Sequence, residues 1–334
     1  MQFLSYVLFQ LDEACRHIND GRLAQLRVAL LLLDNAAEIQ LARCAAQHLM
    51  HEAMQERIRD LAVGIPKDKR GKDLDEITAW QPLSYSEKRA IDRNYDDKIR
   101  YLSERVKQLD IRLTKPLSHL HKYRNEAYHK ARVRKQTIET AVRLLLDINC
   151  ELLLKLSRGF TSYASDGDYS WIEQRFGADR LKLFRQDDLI RQAIHEFRST
   201  VQLDDRKVRD LLMNHLVSRA QDTLNALDFI VENTKFPNQE TAIRDSYEFN
   251  RALRKQAGIG TQDLVSAECR HNVGFILSVQ QRSQEIIQKS DKMQAFDLFA
   301  QIETEFEPVE DSVSELASEV DHQIQLAIDV ARGK

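Results

Sequence analysis

The chain has 334 residues, of which 43% are hydrophobic and 30% charged, enough for one large or two ordinary cores and unlike a disordered composition. Its 10 Gly and 5 Pro fall well below the usual usage of roughly 7% and 5%, and β-branched runs at period two are absent, so an all-α fold is expected. The net charge of −3 excludes a polycation, yet residues 82–158 carry 18 Lys/Arg against 10 Asp/Glu while residues 297–334 carry 2 against 10.

The first 17 residues, MQFLSYVLFQLDEACRH, lack a basic leader and a small-residue cleavage site, so no secretory signal is expected. They read as a helix over 2–18 that stops near Gly21. A long helix follows over 22–62, with Leu23, Leu26, Leu30 and Leu33 at 3–4 spacing and Val28, Leu31 and Leu32 filling the other sides. A helix apolar on nearly every side is a buried one. Its longest apolar run, Val28–Leu33, is far short of the ~20 residues of a membrane span, so no membrane segment is expected. Asp34, Asn35 and Glu38 sit inside this apolar stretch.

Residues 64–82, GIPKDKRGKDLDEITAWQP, read as a mobile loop. Ser84 with Glu87 forms a capping box, opening a polar helix to about Leu113. Pro116 suits the first turn of the next helix, with Thr114 as its cap. A Leu-rich helix spans Thr137–Ser157, and Gly159–Ser170 reads as the boundary between a domain at 1–158 and a helical accessory domain at 170–334. In the latter, helices are expected near 171–184, 186–200, 204–233, 238–257, 261–289 and 309–331. Cys15, Cys44, Cys150 and Cys269 form no CxxC pair and read as reduced thiols of a soluble, cytoplasmic protein.

Chemistry concentrates at Arg124-Asn125-Glu126-Ala127-Tyr128-His129, within a stretch (112–135) holding eight Lys/Arg and one acid. A histidine moves protons near neutral pH, and an arginine grips a phosphate with two N–H groups. Four Arg/His pairs share a spacing of five to seven: Arg43/His48, Arg112/His119, Arg124/His129 and Arg209/His215. Only Arg124 is followed by Asn, lies in a basic segment and sits between two Leu-rich helices.

This stretch resembles the Arg-Asn-x3-His form of the HEPN superfamily signature, and the resemblance covers roughly residues 20–158. It implies a helical bundle that cleaves RNA by attack of the 2′-hydroxyl, without a metal or cofactor, as a toxin or antiviral effector. Arg124 would polarise the phosphate, His129 would be the general acid/base, and Asn125, four residues before His129, would orient it. Arg124 and His129 are five apart, about 140° around a helix, so one helix aims them poorly at one atom. The family's answer is a homodimer with two motif helices facing one cleft.

Asp34 and Glu38 are candidate supports from the long helix, and Tyr128 a base-stacking candidate. Lys122, Lys130, Arg132, Arg134 and Lys135 are candidate RNA contacts. His119 and His121 form HxH, but residues two apart diverge on a helix, so no metal site is expected. The competing reading is a non-catalytic bundle that binds RNA, a nucleotide or a protein through the same basic face. The acidic end could restrain the basic face until a regulatory or antitoxin partner acts. Deletion of 309–334 is the direct test on sequence grounds.

Overall fold

A computed structural model describes residues 2–69, 71–129, 135–156, 170–177, 186–201, 204–258 and 272–332. Every regular element among them is helical, and the fold is all-α. Contacts divide the chain into two units, 1–203 and 204–334. No described helix is long and apolar enough to cross a membrane.

The first unit is built around α2 (Leu23–Val63), which packs on α1 (Gln2–Asp20) and α7 (Lys135–Leu156). In α1, Leu4, Val7, Leu8, Leu11, Cys15 and Ile18 recur at 3–4 spacing and are all buried. Gly21 ends α1 at φ +70, a left-handed geometry that a side chain would strain, and its N–H bonds back to the His17 carbonyl. The expectation for α2 holds only in part for its first half: Leu26, Ala29, Leu30, Leu33, Ala36, Ala37, Leu41 and Cys44 are buried, whereas Leu31 and Leu32 are half-buried and Val28 is exposed. In its second half Met50, Met54, Ile58 and Leu61 are exposed.

Residues 64–82 contain a 3₁₀ turn at Lys67–Lys69 and a helix, α3 (Lys72–Ala79), where a loop was expected. Asp73 and Asp75 in its first turn favour the positive end of the helix dipole. The Ser84/Glu87 capping box opens α4 (Tyr85–Arg93), and α5 (Tyr95–Arg100) runs into a π-helical turn at Tyr101–Arg105. The expected helix to Leu113 ends there, because Lys107 turns left-handed at φ 57. Arg105 pins the π turn to α2, donating to both Glu52 oxygens at 2.7 and 2.9 Å.

Helix α6 (Ile111–His129) starts five residues ahead of Pro116, which lies inside it. It packs on α2 and α7. Buried Asn149 of α7 accepts from Gln40 Nε2 at 2.9 Å and donates to the Leu33 carbonyl at 3.0 Å, fixing the register of α7 on α2. The expected boundary at 159–170 falls mostly on residues outside those described. Helices α8 (Ser170–Phe176) and α9 (Gln186–Val201) nonetheless belong to the first unit, α8 packing on α1 and α9, and α9 on α1 and α7. Arg175 pairs with Asp12 and Glu196, and Arg198 reaches buried Asp147 at 2.6 Å.

Among the described residues the second unit holds α10 (Asp205–Asn233), α11 (Gln239–Gln256), α12 (Val273–Ser283) and α13 (Lys292–Ala331), with a 3₁₀ turn at Gln284–Ile286. Helix α13 begins well before the expected residue 309 and passes through Pro308, because Asp291 caps it by accepting from the Met293 and Gln294 N–H groups. Buried Arg219 of α10 pairs with Glu303 and Glu310 of α13. Val309, Val313 and Leu316 are buried, and no residue from Ala317 to Arg332 is. Cys15, Cys44 and Cys150 are buried thiols, and Cys269 lies outside the described residues.

Candidate functional site

Asp34 lies midway along the buried half of α2 and is wholly buried. A buried carboxylate requires ionic or hydrogen-bonding partners. Helix α6 supplies them from two positions three residues apart. His121 Nδ1 meets Asp34 Oδ1 at 2.9 Å and Oδ2 at 3.2 Å. Arg124 Nε lies 3.1 Å from Asp34 Oδ2, an ion pair by distance whose angle is too poor for a hydrogen bond. Three residues is nearly one helical turn, so both side chains leave the same face of α6.

Arg124 is fixed at a second point, since its Nη1 donates to Asn125 Oδ1 at 2.8 Å. Its Nη2 has no protein partner among the described residues. The Arg124 side chain is 33% exposed and that of His121 22%. A small anion therefore has access to cationic N–H groups whose orientation is set from beneath by one carboxylate.

The other face of the site comes from α5. Tyr95 lies against the His121 ring, with centroids 4.1 Å apart and planes within 10°. Its hydroxyl is buried without a hydrogen-bond partner among the described residues. Burial, together with the fields of Asp34, Glu38 and Asp96, pushes the phenol well above its usual value and keeps it neutral. The bond to Asp34 raises His121 above the ordinary histidine value, burial opposes this, and Asp34 and Glu38 add negative field. Asp96 is held by Ser118 Oγ of α6 at 2.6 Å, which docks α5 on α6 beside the site.

The structure thus brings Arg124, Asn125 and Asp34 together, with Glu38 acting on His121 through its field. Lys122 is on the exposed side of α6. His129 and Tyr128 close α6 in the backbone, but their side chains, that of Lys135, and all of Lys130, Arg132 and Arg134 lie outside the described residues. His119 turns away from His121 and packs edge-on to Tyr123 at 4.7 Å. No cluster of three potential metal ligands occurs among the described residues.

Comparisons with known proteins returned nothing. No family model matches the chain, and neither does any curated protein or solved structure.

The other three Arg/His pairs have local structural partners. Arg43 lies over the Phe3 ring at 4.6 Å, and His48 bonds Gln108 at 2.6 Å. Arg112 pairs with Asp110 at 2.9 Å. Arg209 donates to the Ile287 and Lys289 carbonyls, and His215 is buried against Phe299. A surface groove of about 380 Å³ lined by Gln55, Ile58, Glu76, Ile77 and Trp80 lies some ~30 Å along α2 from Asp34 and shares none of this chemistry.

His121 is the residue that reading the sequence missed. The signal was there in two parts, an acid embedded in an apolar helix and a histidine three residues before the motif arginine. Only tertiary packing shows that they meet.

Proposed function

We propose that the chain is a metal-independent endoribonuclease of HEPN type. The observation that carries this reading is the state of Arg124: paired at Nε with buried Asp34 and held at Nη1 by Asn125, with Nη2 meeting no partner among the described residues. An arginine held in this way suits an oxyanion whose charge grows during reaction, as the phosphate's does when the 2′-hydroxyl attacks. The basic character of residues 112–135 supports a polyanionic substrate.

In this reading Arg124 stabilises the phosphorane and His129 takes the 2′-hydroxyl proton. The products are a 2′,3′-cyclic phosphate and a 5′-hydroxyl end. Asn125 braces Arg124, and Lys122, Lys130, Arg132, Arg134 and Lys135 hold the flanking phosphates. The homodimer, the service as a toxin or antiviral effector, and a regulatory or antitoxin partner rest on the family resemblance alone.

The test is incubation of wild type, Arg124→Ala and His129→Ala with mixed cellular RNA in EDTA. Wild type leaves cyclic phosphate ends, and each variant loses at least about 100-fold in rate while keeping its helicity. Equal cutting by all three removes the assignment. Salt-dependent RNA binding without any cleavage moves the chain to the non-catalytic binding reading.

A further inference from the structure

The Arg124/His129 pair leaves a geometric difficulty, because about 140° of helix separates the two positions. His121 does not share it. It is three residues before Arg124, about 60° around α6, and the same carboxylate holds both groups. Asp34 receives the His121 Nδ1–H, which leaves Nε2 as the ring nitrogen without a protein partner among the described residues. Tyr95 stacks on the ring and limits its rotation. A histidine oriented through Nδ1 by a buried carboxylate, partly exposed on the helix face that also carries a phosphate-gripping arginine, has the arrangement of a general acid.

Resting on the ribonuclease reading, we propose that His121 is a catalytic residue of the same protomer's Arg124 site, donating its Nε2 proton to the departing 5′-oxygen. The 2′-oxygen forms its bond to phosphorus as its proton passes to His129. The bond from phosphorus to the 5′-oxygen breaks, and that oxygen takes the proton from His121. The two histidines end with one proton exchanged between them, and water restores both when it later opens the cyclic phosphate or through solvent exchange. Phosphate grip and leaving-group protonation then lie within one protomer. Asp34 is a positioning residue, and it favours the protonated imidazole that the step consumes.

The experiment compares ordinary RNA with the same RNA carrying a bridging sulfur at the 5′ leaving position. A thiolate leaves without protonation, so that substrate needs no general acid. His121→Gln is expected to slow cleavage of ordinary RNA by about 10²- to 10⁴-fold and that of the 5′-thio substrate by less than about 10-fold. Recovery on the thio substrate is itself proof that the variant is folded. Equal loss on both substrates in a variant of native helicity overturns the proposal, as does wild-type activity on both. If wild type cuts neither substrate, the ribonuclease reading fails, and this inference fails with it.

A second arm follows the alkaline limb of kcat/KM on ordinary RNA. The charged and titratable groups facing His121 are Asp34 and Glu38 from α2, Tyr95 from α5, and Arg124 on α6 itself, with Asp96 of α5 acting on Tyr95. Asp34 is the bonded one, and its charge favours the imidazolium. Asp34→Asn therefore moves the limb to lower pH if His121 is the acid. An unmoved limb in an active Asp34→Asn enzyme overturns the proposal.

Discussion

Asp34 is wholly buried, while its two cationic partners keep a part of their surface in water. This asymmetry makes its stability contribution dependent on pH. The bond to Asp34 raises His121 above its ordinary value of 6.5. The folded chain thus favours the protonated ring, so the stabilisation is fully present below pH 6.5 and is lost as pH rises through the raised value. The melting temperature of wild type minus that of His121→Asn is expected to be largest in acid and to shrink toward alkaline pH. A difference that does not change with pH would mean that the ring contributes packing alone. That Asp34 needed a partner was legible in the sequence, because it directly follows the apolar run Val28–Leu33 and precedes Ala36–Ala37, and a buried carboxylate needs a partner. Which histidine met it was not, since the choice depends on how α6 lies across α2.

At the scale of elements, local chemistry was readable where one side chain decides the matter. The Ser84/Glu87 box starts α4 as its residue spacing indicates. Two helix starts were misplaced. Pro116 suggested a helix start yet lies five residues inside α6, and the start expected near 309 came too late, because Asp291 caps α13 far upstream and the helix passes through Pro308. The buried pairs of Arg219 straddle that proline. Glu303 and Glu310 are seven residues apart, two turns along one face, and reach one guanidinium on α10. Arg219→Met removes the cation that two buried carboxylates share and is expected to cost about 3–5 kcal/mol. Replacing all three by apolar residues of similar size is expected to restore stability to within about 1 kcal/mol of wild type or to exceed it. Urea unfolding of the three proteins checks both outcomes. A triple variant as unstable as Arg219→Met would show that the ion pairs bring stability beyond their mutual compensation.

For the whole molecule, the opposed charges of residues 82–158 and 297–334 are plain in the sequence, but their structural setting is not. The acidic residues belong to α13, and much of that helix is core. Deletion of 309–334 would remove buried Val309, Val313 and Leu316, so it tests folding and not restraint of a basic face. Trimming after Leu316 removes three acidic and two basic residues, all from a part of the chain where no described residue is buried. The trimmed protein is expected to keep the wild-type melting transition and to bind RNA within about twofold of wild type at moderate salt, since one net charge changes little under screening. Fluorescence anisotropy with a labelled oligoribonucleotide measures this, and a tenfold gain in affinity would restore the restraint idea. The all-α class followed from the scarcity of Gly and Pro, whereas the division between units did not. Helices α8 and α9 belong to the first unit through Arg175 and Arg198, side chains whose partners are 163 and 51 residues away in sequence.

The stacking of Tyr95 on His121 has a spectroscopic consequence. An aromatic ring current shields nuclei that lie over its face, and the imidazole lies over the phenol at 4.1 Å in a nearly parallel plane. The carbon-bound protons of His121 therefore resonate upfield of their unshielded positions. The protein carries its own indicator of the charge on this ring, readable by NMR in the absence of RNA and displaced when an anion settles beside it.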